Sequence, residues 1–300
     1  MLGEPAEYVA ARRVLLDALE ALRPHQEAVI LAGAQAVYLR TGPASLPIAE
    51  FTTDGDLAID PALLTEAPPL ANLMEAAGFE LALKQGAPEP GIWQKEVGID
   101  GTEIAVPVDL IVPRDVAPPG GSRGARLAGH GKRAARKIGG LEAALVDNDV
   151  MTVMALEPGD ERRARLRVAG VAALLVAKSY KIADRIDSGR TDRLEDKDAS
   201  DVLRLMTATS PPAVATTLRA LLDHPDAGTS TAAALAHLQG LFGSRAGAGI
   251  EMASRALRGA MPPERVRAIC LAWTGELTAE VTERGRFPTT SSSPEPDSNR

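Results

Sequence analysis

The sequence predicts an α+β protein: a mixed sheet with helices on one side, followed by an all-helical C-terminal part. Three observations predict it. Short apolar runs alternate with helix-spaced segments up to about residue 78 and then follow one another as strands. Beyond residue 170 the apolar spacing is helical almost without interruption. With 45% apolar residues in 300, there is ample material for a large core in one or two domains, and with only 3% aromatics that core should be aliphatic. The expected division is 1–168 for the α/β part, 169–286 for the helical part and 287–300 as a disordered tail rich in Ser, Thr and Pro.

Residues 5–22 place Val9, Leu15, Leu16, Leu19 and Leu22 at helical spacing. Arg12, Arg13, Asp17 and Glu20 are expected on the wet face, and Arg23-Pro24 ends the helix. Ala28-Val29-Ile30-Leu31 reads as a buried strand, and Gly33-Ala34-Gln35-Ala36 turns the chain into a second helix through Leu39. A strand that breaks at glycine into a helix presents free backbone N–H groups to a phosphate, a weak signal by itself because such turns are common. A flexible link is expected over 41–47. After the next strand, Asp60-Pro61 reads as an N-cap with proline at the first helical position. It opens a helix interrupted at Pro68-Pro69 and ending near Gly78. Segments 79–83, 92–97 and 103–112 read as strands joined by Gly/Pro and Gly-Ile-Asp-Gly turns, and 150–156 with 165–168 as a further hairpin. Helices follow at about 170–186, 192–206, 214–222, 232–242, 250–257 and 263–281.

The chemistry concentrates in Phe51-Thr52-Thr53-Asp54-Gly55-Asp56-Leu57-Ala58-Ile59. Residues i and i+2 of a strand project from one face, so Asp54 and Asp56 can converge. Two carboxylates that close repel unless a cation lies between them, and hard oxygen ligands suit Mg²⁺. Asp109 stands in a similar setting, Val106-Pro107-Val108-Asp109-Leu110-Ile111-Val112. Three acids on adjacent strands behind a small-residue turn suggest metal-assisted phosphoryl transfer. Residues 113–140 carry Arg114, Arg123, Arg126, Lys132, Arg133, Arg136 and Lys137 against a single acid, Asp115. That run is either a solvated surface loop or a face for a polyanion. Its lone His130 is expected to be structural or solvated. On the later helices Asp198 and Asp201 share a face, which by itself is compatible with ordinary surface ion pairing.

The net charge of −7 argues against a protein that coats nucleic acid through its overall charge, leaving only a local basic patch for that purpose. The single cysteine, Cys270, cannot form an internal disulfide and is expected as a buried helix residue in a reduced, cytoplasmic protein. No stretch approaches the roughly 18 apolar residues of a membrane span, and the N-terminus lacks a signal-peptide layout.

Four motifs in order resemble the DNA polymerase β-like nucleotidyltransferase superfamily, and within it the minimal nucleotidyltransferases of the AbiEii and MenT toxin type. They are the turn Leu31-Ala32-Gly33-Ala34-Gln35-Ala36, the T-x-D-x-D-like Thr52-Thr53-Asp54-Gly55-Asp56, the isolated strand acid Asp109, and a helical pair. The pair is Lys178-Ser179-Tyr180-Lys181-Ile182-Ala183-Asp184-Arg185 followed by Lys197-Asp198-Ala199-Ser200-Asp201-Val202-Leu203. The resemblance covers about residues 25–208. Ala34, Gln35 and Glu50 stand where that family more often has Gly or Ser, Thr or Ser, and Arg.

The resemblance implies a nucleotidyltransferase fold and an enzyme that moves a nucleoside monophosphate from a nucleoside triphosphate to an acceptor hydroxyl. Asp54, Asp56 and Asp109 would hold Mg²⁺ or Mn²⁺, with Asp109 also helping to deprotonate the acceptor. Lys178 would meet the triphosphate, and Asp198 would orient Lys178 or the nucleotide. Gly33, Ala34, Gln35, Lys181 and Arg185 would assist nucleotide binding. The implied partners are the triphosphate, an acceptor such as tRNA reached through the basic 123–137 loop, and a cognate antitoxin. A protein hydroxyl and a small molecule are the other acceptors open, and a non-catalytic binding module of the same fold is the alternative.

Overall fold

The computed structural model describes residues 5–42, 46, 51–120, 123–189 and 195–283. Most of the expected link at 41–47, the start of the helix expected at 192, and the tail from 287 lie outside the described residues.

Helix α1 (Ala6–Ala21) leads through a short 3-10 turn to β1 (Val29–Ala32), all four residues of which are buried. Helix α2 (Gly33–Thr41) starts directly from it. Strand β2 (Gly55–Ile59), helix α3 (Leu70–Ala76) and strands β3 (Glu80–Lys84), β4 (Ala87–Ile99) and β5 (Thr102–Pro113) follow. Strand β6 (Arg136–Ile138), helix α4 (Glu142–Val146), and strands β7 (Asn148–Met154) and β8 (Arg163–Ala169) complete the sheet region. Helices α5 (Val171–Asp187), α6 (Asp196–Ala208), α7 (Pro211–Leu222), α8 (Gly228–Phe242), α9 (Ala248–Ala256) and α10 (Pro263–Glu283) form the C-terminal region. Cys270 is fully buried in α10.

The architecture is therefore a mixed α+β N-terminal part followed by a helical C-terminal region. The sheet runs β3-β4-β5-β2-β1-β8-β7, with β6 paired to the end of β5. Its centre is mixed: β1 is antiparallel to β2 and parallel to β8, while β2 is parallel to β5. The hairpins β3-β4 and β4-β5 turn on Gln85-Gly86 and Asp100-Gly101. All four of these residues have positive φ, the conformation of the two-residue turns that match strand twist. A continuous apolar core runs from Tyr8 to Leu277 through both regions. Among the described residues, no helix is long and apolar enough to cross a membrane.

Several expectations are corrected. Helices cover both faces of the sheet rather than one. Gly55 lies against Leu15 of α1, while its neighbour Asp56 points to the opposite face, against Gly33 of α2. The unbroken apolar run of β1, with no polar alternation, is the sequence signature of a strand covered on both sides. Arg12 is not on a wet face but 3% exposed, spanning from α1 to α2 and β7. Asp60 does not cap a helix. Its carboxylate accepts the Ala62 N–H in a local turn, and the helix begins only after Pro68-Pro69, whose rings disfavour helical conformation in the residues before them. Strand β4 starts at Ala87, so Pro88 and Pro90 lie within a strand that was expected from residue 92. His130, by contrast, is structural as expected: its Nδ1 accepts from the Leu70 N–H and its Nε2 lies 2.8 Å from the Thr65 carbonyl oxygen.

Candidate functional site

The site lies where β1 gives way to α2. Gly33 has φ +65°, and a β-carbon there would overlap the Asp56 carboxylate, so only glycine lets α2 begin this close to β2. Asp56 stands opposite Ala32 on one side and opposite Asp109 on the other. The i, i+1 alternation of β2 and β5 therefore puts two carboxylates side by side on adjacent parallel strands. Asp54 lies just before β2 rather than in it, yet close enough for its charge to raise the proton affinity of Asp56.

The three acids differ. Burial and the neighbouring Asp54 charge raise the pKa of Asp56, against the pull of Lys181, Lys178 and Arg136. Burial pushes Asp109 up to about 7; Arg136 opposes that rise while Asp56 and Asp54 add to it. Asp54 is also desolvated, but Lys197, the Thr52 hydroxyl, Lys181 and Lys178 outweigh the desolvation and lower its pKa. Thr52 Oγ1 donates to Asp54 Oδ1 at 2.5 Å, and Lys197 Nζ donates to Thr52 Oγ1 at 2.8 Å. Arg136 forms an ion pair with Asp109 Oδ2. It reaches that position because β4 yields at Gly91 and β6 takes its place beside β5. A side chain at Gly91 would collide with the backbone of Arg136 and Leu110.

Behind the acids stands a buried ion cluster on α5 and α6. Lys178 Nζ donates to Asp198 Oδ1 at 2.8 Å and to Asp201 Oδ2 at 2.7 Å. Lys181 and Arg185 reach the same Asp198 at 3.1 and 2.9 Å. These are not surface pairs: Lys178, Asp198 and Asp201 are all buried. The i, i+3 spacing on α6 aims both carboxylates at one ammonium. Burial works against the Lys178 charge, but Asp198 and Asp201 more than compensate and hold its pKa well above the ordinary value. The Lys181 side chain is 38% exposed, against 6% for Lys178, and is the more accessible cation.

Among the described residues, no three His, Cys, Asp or Glu side chains form a set able to hold a metal ion. No protein-family model and no curated protein matches the chain.

The donor chemistry of the acids suits a hard divalent cation: Asp56 and Asp109 are paired carboxylates whose charged forms are disfavoured, and a cation between such groups relieves both. The Asp109–Arg136 pair is the feature that a cation would have to share or displace.

Of the residues singled out in the sequence, Gly33, Asp54, Asp56 and Asp109 come together, and Lys178, Lys181, Arg185 and Asp198 form the adjoining cluster. Ala34 is buried at the start of α2. Gln35 is 1% exposed, and both its amide oxygen and its amide nitrogen hydrogen-bond inside the protein. Thr52, Lys197 and Arg12 are not among the site residues that the sequence singles out, and Arg136 stands there only as one cation of the basic 113–140 run. The first two lay inside quoted motifs, so motif membership was the available signal. For Arg136 and Arg12 nothing local in the sequence marked the contact.

Replacing Gly33 tests how tightly the turn is fitted. Gly33→Ala should cost about 1–2 kcal/mol for the left-handed backbone alone, and should also displace the Asp56 carboxylate. Urea denaturation would measure the first effect and divalent-cation affinity the second. Unchanged values for both would show that the turn tolerates a side chain.

Proposed function

We propose that this chain is a metal-dependent nucleotidyltransferase that moves a nucleoside monophosphate from a nucleoside triphosphate to an acceptor hydroxyl, acting as a toxin-like enzyme. The observation that carries the reading is the Asp56–Asp109 register on adjacent parallel strands, closed on one side by the glycine that begins α2. Mg²⁺ or Mn²⁺ held by Asp56 and Asp109, with Asp54 beside them, would supply Lewis-acid stabilisation of the transferring phosphoryl oxygens.

The chain's own groups divide the remaining work. Free N–H groups at the start of α2 favour phosphate oxygens. Lys181, the exposed member of the cation cluster, offers its charge to the triphosphate, and Lys178 adds a fixed positive potential behind it. Asp198 orients all three cations of α5. Thr52 and Lys197 fix the rotamer of Asp54. Asp109 Oδ1 makes no hydrogen bond among the described residues and is the oxygen open to the cation while Oδ2 pairs with Arg136, and an acceptor hydroxyl brought beside it would lose its proton toward this carboxylate.

An RNA acceptor such as tRNA is supported by an ordered basic ribbon beside the site. Backbone hydrogen bonds from Ala125 to Ala135 and from Lys137 to Arg123 hold it, and Ala125, Leu127, Ala134 and Ala135 anchor it inward. Arg123, Arg126, Lys132 and Arg133 face solvent, and Arg136 at its end touches Asp109. The decisive experiment is incubation with Mg²⁺, each α-phosphate-labelled nucleoside triphosphate and total tRNA. Label on RNA, lost with Asp54→Ala, is the expected result. Absence of pyrophosphate release with every nucleotide, from a folded protein, would overturn the reading and favour a non-catalytic module in which Arg136 permanently occupies Asp109.

A further inference from the structure

Gln35 belongs to the turn at which phosphate binding was expected, yet its side chain points into the protein. Its Oε1 accepts from Arg12 Nε at 2.7 Å, and its Nε2 donates to the backbone carbonyl of Asp54 at 2.9 Å. Arg12 is buried, 3% exposed. Its other two nitrogens donate to the Tyr8 hydroxyl at 2.9 Å and to the Met154 carbonyl at 2.9 Å. The Tyr8 ring meets Tyr38 edge-on at 5.6 Å, and the Tyr38 hydroxyl donates to the Phe51 carbonyl at 2.7 Å. Two lines of contact thus leave a single guanidinium and end on residues 51 and 54, the two ends of the segment that carries the Asp54 carboxylate.

We infer that Arg12 and Gln35 are positioning residues that hold the 51–54 segment, and with it Asp54, in place for the cation site. The inference rests on the nucleotidyltransferase reading and assigns these two residues a task within it. The segment needs such a bracket. It precedes β2 and has no ladder partner at Asp54 to fix it. A carboxylate that must meet a cation within a few tenths of an ångström requires its support to be rigid. The fork of an arginine satisfies three acceptors in fixed directions at once, which a lysine could not do.

Gln35→Glu separates positioning from mere stability. A glutamate keeps the acceptor for Arg12, indeed as a charged one, but removes the donor to the Asp54 carbonyl and faces that oxygen with another. A purely structural role predicts a lowered melting temperature, from the lost buried hydrogen bond, and, because a negative charge has been added near the acids, unchanged or tighter cation binding. Positioning predicts the opposite for the cation. Mn²⁺ affinity, followed by the loss of free-ion paramagnetic resonance signal, should fall about 10–100-fold despite the added charge. Hydrogen exchange of a peptide covering 51–57 should accelerate more than that of peptides from the rest of the sheet. Wild-type Mn²⁺ affinity and wild-type exchange in Gln35→Glu would overturn the inference. If the unmodified protein binds no Mn²⁺ while Gln35→Glu still loosens 51–57, the cation reading fails and the bracket stands. If exchange is unchanged, the bracket itself fails.

Discussion

Asp56→Asn should slow nucleotidyl transfer severely while making the metal-free protein more stable at pH 8. The two effects come from one cause. Asp56 and Asp109 are neighbours across β2 and β5; burial raises the proton affinity of both, the Asp54 charge adds to that of Asp56, and the Asp56 charge adds to that of Asp109. A raised folded-state pKa means that the folded chain binds protons better than the unfolded one. The associated stability is fully present below the unfolded carboxylate value near 4 and is lost as pH rises through the folded value, about 7 for Asp109. At pH 8 without cation the pair therefore opposes folding, and an amide at position 56 removes the repulsion with little change of shape.

Function moves the other way, because the same repulsion is what a divalent cation would relieve. Pyrophosphate release should drop by about 10²–10³-fold, the usual scale for removing one preorganised charge partner. Asp56 is a cleaner choice than Asp109, since replacing Asp109 would also strip Arg136 of its partner. Urea midpoints at pH 5 and pH 8, each with and without Mg²⁺, provide the check. The wild-type midpoint should fall between pH 5 and 8 only when Mg²⁺ is absent, and Asp56→Asn should weaken that dependence. A mutant less stable than wild type at pH 8 without Mg²⁺ would show that the acids are not in conflict.

How much of this could be read in the sequence follows from the range of the interactions. Every strand that carries an acid, and each C-terminal helix, announces itself through local periodicity, because burial on one face or both is written within ten residues. The glycine that ends β1 was legible for the same reason. The failures are non-local. Arg12 looks like a surface residue of an amphipathic helix until Gln35 and Met154 are folded against it. Arg136 lies in a segment whose charge alone suggests a solvated loop, and it reaches Asp109 only because β6 replaces β4 beside β5. Lys197 reaches Thr52 across 145 positions. Asp60-Pro61 failed differently: the local helix signal was real, but a competing side-chain turn and two prolines prevailed.

Lys178→Met should be among the most destabilising single substitutions in the protein, and its effect on activity should follow from that loss rather than from a lost contact with substrate. The ammonium is 6% exposed and joins Asp198 and Asp201, each 2% exposed, so α5 and α6 are held together by charges with almost no solvent. Assembling such a cluster yields little net stability, because desolvation offsets the attraction, but removing one member leaves the others charged and buried. That costs about 3–5 kcal/mol, a large share of the roughly 5–15 kcal/mol by which domains are stable. Arg255 of α9 and Asp196 of α6 form a pair at 2.6 Å, exposed by 46% and 35%, and Arg255→Ala should cost less than about 1 kcal/mol. The depressed pKa of Asp198 gives stability present above the unfolded carboxylate value and lost as pH falls below it. The raised pKa of Lys178 gives stability present below the unfolded lysine value and lost only as pH rises beyond it. The penalty of Lys178→Met should therefore be full between about pH 5 and pH 10. Lys181→Met completes the comparison: with its side chain 38% exposed it should leave the urea midpoint nearly unchanged yet slow pyrophosphate release. If Lys178→Met instead kept the wild-type midpoint and lost only turnover, Lys178 would be a substrate contact freed from its carboxylates during the reaction, and the cluster would be a reservoir of charge rather than a strut.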